Sequence, residues 1–319
     1  MNKRLIIINL LLVVAIIGSW LVFMGDFRQK EPTMEVTADV QEAPMRQETE
    51  AVQTPVEDVQ PQETEPEEAA GPEEPEPVED DALEQLLSDF CEKQDGDWSI
   101  VVETLDGRNR AEVNGNASMI SASLIKLFVM AAVYDQIEQG MIAHEEVIDL
   151  IRPMITISDN TATNRLIEKL GGGDANVGMK VVNEYAAALG CEQTKLCRLM
   201  LANNGLQNYT SASDCAMLLR SMCELACVSE AWSREMLDIL KEQTVRTRIP
   251  DGLPEGVPCG NKTGDLIGLC CADVGIVFAE TGDYIVCLIC NGQSNDMVTT
   301  FAMAELSGKI YDRFTQSEA

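Results

Sequence analysis

A long acidic segment divides this chain into parts that cannot share one hydrophobic core. Residues 27–82 hold 18 aspartates and glutamates against three lysines and arginines, together with eight of the twelve prolines and one aromatic residue. A segment of this composition buries too little apolar surface to offset the entropy lost on ordering. Residues 27–82 are therefore predicted to be a disordered linker.

The part before the linker is apolar. No charged residue occurs in the 21 positions 5–25, whereas Lys3 and Arg4 precede them. About 20 apolar residues span a bilayer, and positive charge before such a run keeps the N-terminus in the cytoplasm. Residues 1–26 are predicted to be a cytoplasmic stub and an uncleaved signal anchor in the cell membrane, with the remainder of the chain outside. A long cleaved signal peptide is the alternative, because the apolar length lies close to both classes.

The part after the linker, residues 83–319, has the composition of one globular domain. Apolar patterns predict strands near 97–104, 109–114, 259–263, 269–279 and 283–291. Helical patterns occur from Ser123 to 139 and at 83–94, 145–152, 161–170, 174–189, 211–227, 229–241 and 296–314. Strands at both ends with helices between them predict an α+β domain, whose sheet is closed by the first and last strands.

Composition narrows the classes of function. The net charge of −30 argues against a nucleic-acid partner. His144 is the only histidine, so neither a histidine-based catalytic triad nor a multi-histidine metal site is supported. No cofactor or metal is predicted, and the chain is expected to be monomeric.

The eleven cysteines are odd in number, and most stand in apolar runs such as "GLCCADVG" and "VCLIC". Cys270 and Cys271 are neighbours in a predicted strand and would point to opposite faces of its sheet. The pattern favours free, buried thiols that act as small apolar side chains. A zinc site is the weaker alternative, because the chain has no pair of CxxC motifs.

A lysine stands near the start of a helical run that is otherwise apolar. In "SASLIKLFVM", residues 121–130, Lys126 follows Ser123 by three positions, so the hydroxyl and the amine share one face of the predicted helix. Burial lowers the pKa of a lysine, and a neutral amine beside a serine hydroxyl can act as its general base. On its own, this motif also fits a capping serine and a lysine whose amine reaches solvent.

Two further motifs follow along the chain. "ISDN" contains Ser158 and Asn160, and "NKTGDL" contains Lys262, Thr263 and Gly264. Together with Ser-x-x-Lys, in this order, they resemble the motifs of the penicillin-recognising serine enzymes, which include the class A β-lactamases and related D,D-peptidases. "SDNTATNRLIEKLGG" and "RIPDGLP" extend the resemblance over nearly all of the domain. It implies an antiparallel sheet of about five strands flanked by helices, with an all-helical lobe.

The resemblance also implies an acyl-enzyme mechanism on a β-lactam or a D-Ala-D-Ala-like cell-wall peptide. Ser123 would be the nucleophile, and Lys126 would take its proton. Ser158 would pass a proton to the leaving nitrogen, with Lys262 nearby to balance charge. These four side chains are the predicted catalytic residues.

The resemblance further implies a set of substrate-binding residues: Asn160, Thr263, Gly264, Asp265 and Arg248. Asn160 would bind the amide side chain of the substrate. Thr263 would hold the substrate carboxylate, aided by the charges of Lys262 and Arg248. The oxyanion would lie between the backbone N–H groups of Ser123 and Asp265.

The sequence departs from the class A pattern in two places. Ser123 and Ser158 are 35 residues apart, about two dozen fewer than is usual in that class, so the cleft should be more open. Class A enzymes also carry a glutamate in the Ω-loop that activates the deacylating water. Here that segment reads "RLMLANNG", with Met200 in place of the glutamate. Without a carboxylate at this position, release of the acyl group is predicted to be slow.

These departures leave two main functions open. The first is a membrane-tethered serine hydrolase, which the intact set of catalytic motifs favours because a pure binding protein needs no general base. The second is a sensor or scaffold module that binds β-lactams or peptidoglycan without efficient turnover, which Met200 favours. An adhesion domain with accidental motifs is a third and weaker reading.

The anchor prediction can be checked on the full-length protein. If residues 1–26 remain attached as a membrane span, the protein will stay in the membrane pellet after a carbonate wash, because an apolar span is not released by high pH. Protease added from outside the cell will then reach the domain. Recovery of a soluble protein that begins near residue 26 would instead identify a cleaved signal peptide.

Overall fold

The structure is a computed structural model that describes residues 80–316 of the chain. The predicted anchor, residues 1–26, and the linker as far as residue 79 lie outside the described residues. Within the described part, no helix is both long and apolar enough to cross a bilayer. No group of three or more His, Cys, Asp or Glu side chains in this part is arranged to hold a metal ion.

The elements follow the order strands, helices, strands, helix. The α-helices are α1 (Asp81–Cys91), α2 (Ile125–Glu138), α3 (Ile148–Thr156), α4 (Asn160–Leu170), α5 (Ala175–Ala188), α6 (Ala212–Cys223), α7 (Glu230–Lys241) and α8 (Asp296–Gln316). The strands are β1 (Asp97–Thr104), β2 (Arg110–Val113), β3 (Met119–Ile120), β4 (Tyr209–Thr210), β5 (Cys259–Leu266), β6 (Cys270–Val277) and β7 (Tyr284–Asn291). Single 3₁₀ turns occur at Ala122–Leu124, His144–Glu146 and Ile249–Gly252.

Five strands form one antiparallel sheet in the order β2-β1-β7-β6-β5. The first long strand, β1, therefore pairs with the last strand, β7, which confirms that the ends of the domain close the sheet. Strand β5 lies at the edge, paired along its length with β6 from Cys259↔Val277 to Leu266↔Cys270. An edge strand leaves one row of backbone N–H and C=O groups unpaired by the sheet.

The two faces of the sheet pack against different helices. On one face, Ile100, Val286 and Leu288 contact α1 and α8. On the other, Val274, Ile285 and other sheet residues pack against the helical block that contains α2 to α7. Cys270 belongs to the second face and Cys271 to the first, as their adjacent positions in a strand predict. The α+β fold with an all-helical lobe is therefore confirmed.

Helix α2 lies at the centre of the helical lobe. Eleven of its fourteen residues are buried, including Lys126, so the helix is surrounded by protein on all sides. An apolar run without a polar face predicts this position. The eleven cysteines are all free, and eight of them are buried, as their apolar contexts predict.

Several boundaries differ from the sequence-based prediction. Helix α1 begins at Asp81, two residues inside the predicted linker, because the Asp80 carboxylate accepts a hydrogen bond from the Leu83 N–H (3.0 Å) and caps the helix. Helix α3 begins at Ile148 rather than near 145, since residues 144–146 form a 3₁₀ turn. The two-residue strands β3 and β4 were not predicted, because two residues are too few to show a periodicity.

Candidate active site

Ser123 lies in the 3₁₀ turn Ala122–Leu124, which leads directly into α2. The Ser121 N–H donates to the carbonyl of Asn208 (2.8 Å) and fixes the start of this turn. Ala122 has a φ of 44°, in the left-handed region that residues with a side chain seldom occupy. Strain of this kind persists only where the surroundings hold it, and it is common at functional sites.

Lys126 is fully buried one turn further along α2. Its Nζ donates to the Ser158 carbonyl (2.6 Å), the Ser158 hydroxyl (3.0 Å) and the Asn160 Oδ1 (2.9 Å). Three acceptors match the three N–H donors of an ammonium, so this geometry is that of the protonated lysine. The hydrogen bonds of Lys126 go to Ser158 and Asn160 rather than to Ser123.

Ser158 joins Lys126 to a second buried lysine. The Lys262 Nζ, which belongs to β5, donates to the Ser158 Oγ (3.0 Å) and to the Thr263 carbonyl (2.8 Å). The Ser158 hydroxyl oxygen therefore accepts hydrogen bonds from both lysines. We call Lys126, Ser158 and Lys262 the lysine–serine–lysine chain.

The position of Ser158 depends on the start of α4. Ser158 has a φ of 58°, which turns the chain sharply after α3. The next residue, Asp159, caps α4 by accepting a hydrogen bond from the Ala162 N–H (2.7 Å). Asn160 is the first residue of the helix, so the "SDN" motif is a strained turn, a cap and a helix start in succession.

Burial lowers the pKa of both lysines in this chain. Burial lowers the pKa of Lys126 to about 8, and the carboxylate of Asp159 opposes this shift. Burial also lowers the pKa of Lys262 to about 7; the charge of Lys126 lowers it further, whereas Asp273 and Asp265 oppose the shift. Because the two groups interact, their protons leave in coupled steps. Near neutral pH one of the two lysines can therefore be neutral while the other is charged. In that state the pair can accept a proton from Ser123.

Strand β5 supplies the wall beside the nucleophile. A Cβ on Gly264 would lie 2.9 Å from the Ser121 carbonyl oxygen and 3.1 Å from the Leu124 Cγ. Only glycine allows β5 to approach the Ser123 turn this closely. Gly264 thus positions the backbone of Asp265, whose N–H is one of the two predicted oxyanion donors.

Thr263 and Asp265 belong to β5. Because side chains alternate along a strand, both lie on the face opposite to that of Lys262. Thr263 is almost fully buried, opposite Asp273 in the sheet register. The Asp265 carboxylate is more than half exposed and forms an ion pair with the guanidinium of Arg248, which is itself buried. Both terminal nitrogens of Arg248 face this carboxylate, with Nη1 at 3.4 Å from Oδ2.

A buried aspartate under β5 was not predicted from the sequence. Asp273 accepts hydrogen bonds from the Asn261 Nδ2 (2.8 Å) and from the Ile249 N–H (3.0 Å), and so ties β5 and β6 to the turn that follows Arg248. Burial raises its pKa to about 6. No local pattern predicts this role, since a single aspartate in an apolar strand also fits an exposed edge.

These elements enclose a cleft of ≈ 300 Å³. Its lining residues are Ala122, Ser123, Asn160, Arg198, Met200, Leu201, Ala202, Asn203, Gly205, Leu206, Gln207, Asp265 and Leu266. Ser123, Asn160 and Asp265 thus reach the cleft, whereas Lys126 and Lys262 lie behind this surface. A larger cavity of ≈ 420 Å³, between Leu105 and Phe314, contains none of the predicted site residues.

The wall opposite β5 is the segment of residues 198–207, which contains Met200. The Met200 N–H donates to the Asn164 Oδ1 (2.8 Å), and its carbonyl accepts from the Asn164 Nδ2 (3.1 Å). This pair of hydrogen bonds fixes the backbone of Met200 on α4. Met200, 8% exposed, lies at the wall of the cleft, where the resemblance to the class A enzymes implies a catalytic carboxylate.

The structure joins three of the four predicted catalytic residues, Lys126, Ser158 and Lys262, by hydrogen bonds, whereas Ser123 lies at the cleft in the turn before α2. Of the predicted binding residues, Asn160 and Asp265 line the cleft, Gly264 sets the approach of β5, and Thr263 and Arg248 lie behind Asp265. The predictions missed Arg198, Asn164 and Asp273, whose roles depend on contacts between distant segments.

The fold and the three motifs, in this order, are those of the penicillin-recognising serine enzymes. The chain belongs to the beta-lactamase enzyme family, whose model matches residues 81–149 and 144–314. The resemblance inferred from the motifs is therefore confirmed.

Individual relatives are distant. β-Lactamase FAR-1 of Nocardia farcinica (strain IFM 10152) is 30% identical over 146 residues, which make up 44% of this chain and 45% of that protein. The match thus spans less than half the length of this curated relative.

Solved structures share the fold. The structure of PBP-A superposes with a TM-score of 0.69 at 24% sequence identity. The match covers 76% of this chain and 99% of the PBP-A chain. A β-lactamase from Sphaerobacter thermophilus DSM 20745 has a TM-score of 0.65 at 24% identity and covers 74% of this chain and 98% of its own.

The coupling between Asp159 and Lys126 predicts a pH dependence. If neutral Lys126 is the base, the rate of covalent labelling of Ser123 by a fluorescent penicillin should rise with an apparent pKa near 8. Asp159→Asn retains a helix-capping residue but removes the charge that raises the pKa of Lys126. The midpoint should therefore move to lower pH. The labelling rate is measured from stopped reactions in buffers between pH 6 and pH 10, at a spacing of about one pH unit. These rates give the pH profile.

Asp174→Asn is the matched control, because Asp174 caps α5 in the same way from an exposed position (Asn176 N–H to Oδ1, 2.8 Å). Its profile should overlie that of the wild type. A midpoint that stays in place or rises in Asp159→Asn would show that Lys126 does not set the pH dependence.

Proposed function

We propose that this protein is a serine hydrolase that forms an acyl-enzyme through Ser123 with β-lactams or D-Ala-D-Ala-like cell-wall peptides, and that it releases the acyl group slowly. We further propose that residues 1–26 hold the domain at the outer face of the cell membrane. The lysine–serine–lysine chain beneath Ser123 is the observation that carries the enzymatic proposal. A protein that only binds a ligand has no use for two buried lysines with lowered pKa values.

Acylation needs one proton to move in a closed cycle. Ser123 Oγ attacks the carbonyl carbon, and its proton passes to neutral Lys126. When the carbon–nitrogen bond breaks, the leaving nitrogen takes the proton of the Ser158 hydroxyl. Lys126, 3.0 Å from that oxygen, returns a proton to Ser158 and becomes neutral again. Lys262, at the same distance from Ser158 Oγ, donates a hydrogen bond to this oxygen and holds it in place during the transfer, which an amine can do as well as an ammonium.

The negative charge that develops on the substrate needs fixed donors. The predicted oxyanion donors are the backbone N–H groups of Ser123 and Asp265, and both residues line the cleft. The close approach that Gly264 allows supports this pairing, because it brings the edge of β5 against the Ser123 turn. Loss of one such donor typically lowers kcat by about 10²–10³.

Deacylation is the step for which the site is poorly equipped. A water that attacks the ester must lose a proton, and the Met200 thioether is a weak acceptor without useful basicity. Asp265 is the carboxylate among the described lining residues, and it is paired with Arg248. Met200 therefore favours, as a second candidate, a sensor or scaffold that is acylated without efficient turnover. A structure with a similar fold, a PBP-A variant, is described as an acyl-enzyme complex with penicillin G.

The nucleophile can be identified by substitution. Ser123→Ala should abolish labelling by a fluorescent penicillin, because the acylated oxygen is gone. Lys126→Ala should slow labelling by about 10²–10⁴, the usual contribution of a general base. In-gel fluorescence measures both, and thermal unfolding followed by circular dichroism verifies that each variant is folded.

Ser294→Ala serves as the control, since Ser294 is exposed and does not line the cleft. Its labelling should equal that of the wild type. Labelling that persists in folded Ser123→Ala would place the nucleophile at another residue.

The rate-limiting step can be tested at Met200. Wild-type protein should show a stoichiometric burst with a chromogenic cephalosporin, followed by slow turnover, and intact-protein mass spectrometry should find an adduct that lasts for minutes. Met200→Glu should shorten the lifetime of the adduct by at least about 10-fold, because general-base assistance contributes about 10²–10⁴ when well placed. Asn164 fixes the backbone here, so the substitution changes mainly the side chain.

Met141→Glu makes the same substitution at a methionine that is 61% exposed and does not line the cleft. The adduct should persist in this variant. Rapid steady-state turnover by the wild type without a detectable adduct would show that another group activates the water.

A further inference from the structure

The ion pair between Asp265 and Arg248 lies where a substrate carboxylate is expected. Asp265 lines the cleft together with Ser123, and its backbone N–H is a predicted oxyanion donor. Its carboxylate must therefore lie within a few ångströms of an acyl donor bound at Ser123. The arginine that would attract a substrate carboxylate is thus already paired with an anion of the protein itself.

The geometry of the pair is that of a bidentate contact. Both terminal nitrogens of Arg248 face the two oxygens of Asp265, and the arginine is 4% exposed. Paired charges that share two hydrogen bonds are stronger than single contacts. A ligand carboxylate would have to displace Asp265 from Arg248 or bind beside it, and in both cases two negative charges approach each other.

The other cations of the site offer little compensation. Lys126 and Lys262 lie behind the cleft surface, and their hydrogen bonds go to Ser158, Asn160 and the Thr263 carbonyl. Arg198 lines the opposite wall, where it donates to the Leu199 carbonyl and to Gln207. The wall formed by β5 therefore presents to the ligand an ion pair with no net charge.

We propose that Asp265 makes the cleft select acyl donors whose group beside the scissile bond is uncharged, such as an ester or an amide, over donors with a free carboxylate at that place. Asp265 is on this view a specificity-determining residue, and the inference rests on the acyl-enzyme function proposed above. An uncharged carbonyl or amide can approach Thr263 and the Arg248–Asp265 pair without separating the two charges.

A pair of substrates that differ only in this charge gives the test. Second-order rate constants for adduct formation are measured by intact-protein mass spectrometry with benzylpenicillin and with its methyl ester. Asp265→Asn should raise the rate constant for benzylpenicillin by about 10-fold, since it removes one unit charge a few ångströms away. The ratio of the rate constant for benzylpenicillin to that for the methyl ester should rise by a similar factor, because the ester has no charge to repel.

Glu280→Gln is the matched control for net charge. Glu280 is exposed beyond the end of β6, which spans Cys270–Val277, and Asp265 pairs with Cys271 at the opposite end of that strand. Its substitution should change neither rate constant. Asp265→Glu keeps the charge and should keep the preference for the ester.

The role of Arg248 is tested in the double variant. In Asp265→Asn/Arg248→Gln, the gain with benzylpenicillin should disappear, because the cation that the carboxylate would reach is gone. Equal changes with both substrates in Asp265→Asn, a slower reaction with benzylpenicillin, or a gain that survives loss of Arg248 would each overturn the inference. Absence of any adduct in wild type and variants would overturn the proposed function, and this inference with it.

Discussion

Two buried lysines share one hydroxyl oxygen, and much of the domain serves to keep them there. An ammonium loses several kcal/mol of hydration on burial, and a second one nearby adds repulsion. Neither helix α2 nor strand β5 would hold such a side chain by local preference. Lys126 stays buried because α2 is packed on all sides, and Lys262 because β5 is paired along its length with β6.

Ser158 is the junction of this arrangement, and its geometry depends on a short stretch of backbone. The positive φ of Ser158 turns both its carbonyl and its hydroxyl toward Lys126. The cap at Asp159 fixes the following helix, so the turn cannot relax without loss of the helix start. The acidic side chain of this cap also keeps part of the positive charge on Lys126. Asp159 thus contributes both to the position of the lysine–serine–lysine chain and to its protonation.

Much of the fold and the site could be predicted because their signals are local. Strand and helix patterns predicted the sheet. Three short motifs predicted a site of Ser123, Lys126, Ser158 and Lys262, and the last three are joined by hydrogen bonds. The hydrogen bonds of Lys126 could not be predicted, since Ser158 lies 32 residues away and its orientation depends on a strained turn. Asp265 directly follows the Lys-Thr-Gly motif, so the sequence shows that a negative charge lies near the site. Its ion pair with Arg248 could not be predicted, because the position of Arg248 depends on how the turn before β5 packs.

The free cysteines make the order of events during maturation important. In the folded domain, burial raises the pKa values of Cys215 and Cys290 to about 12, so almost no thiolate is present to react with an oxidant. The unfolded chain has no such protection, and its eleven thiols can pair in many wrong combinations in an oxidising compartment. Oxidation before folding would trap the chain, whereas folding before oxidation would protect it. The domain is therefore sensitive to oxidants chiefly before its core has formed.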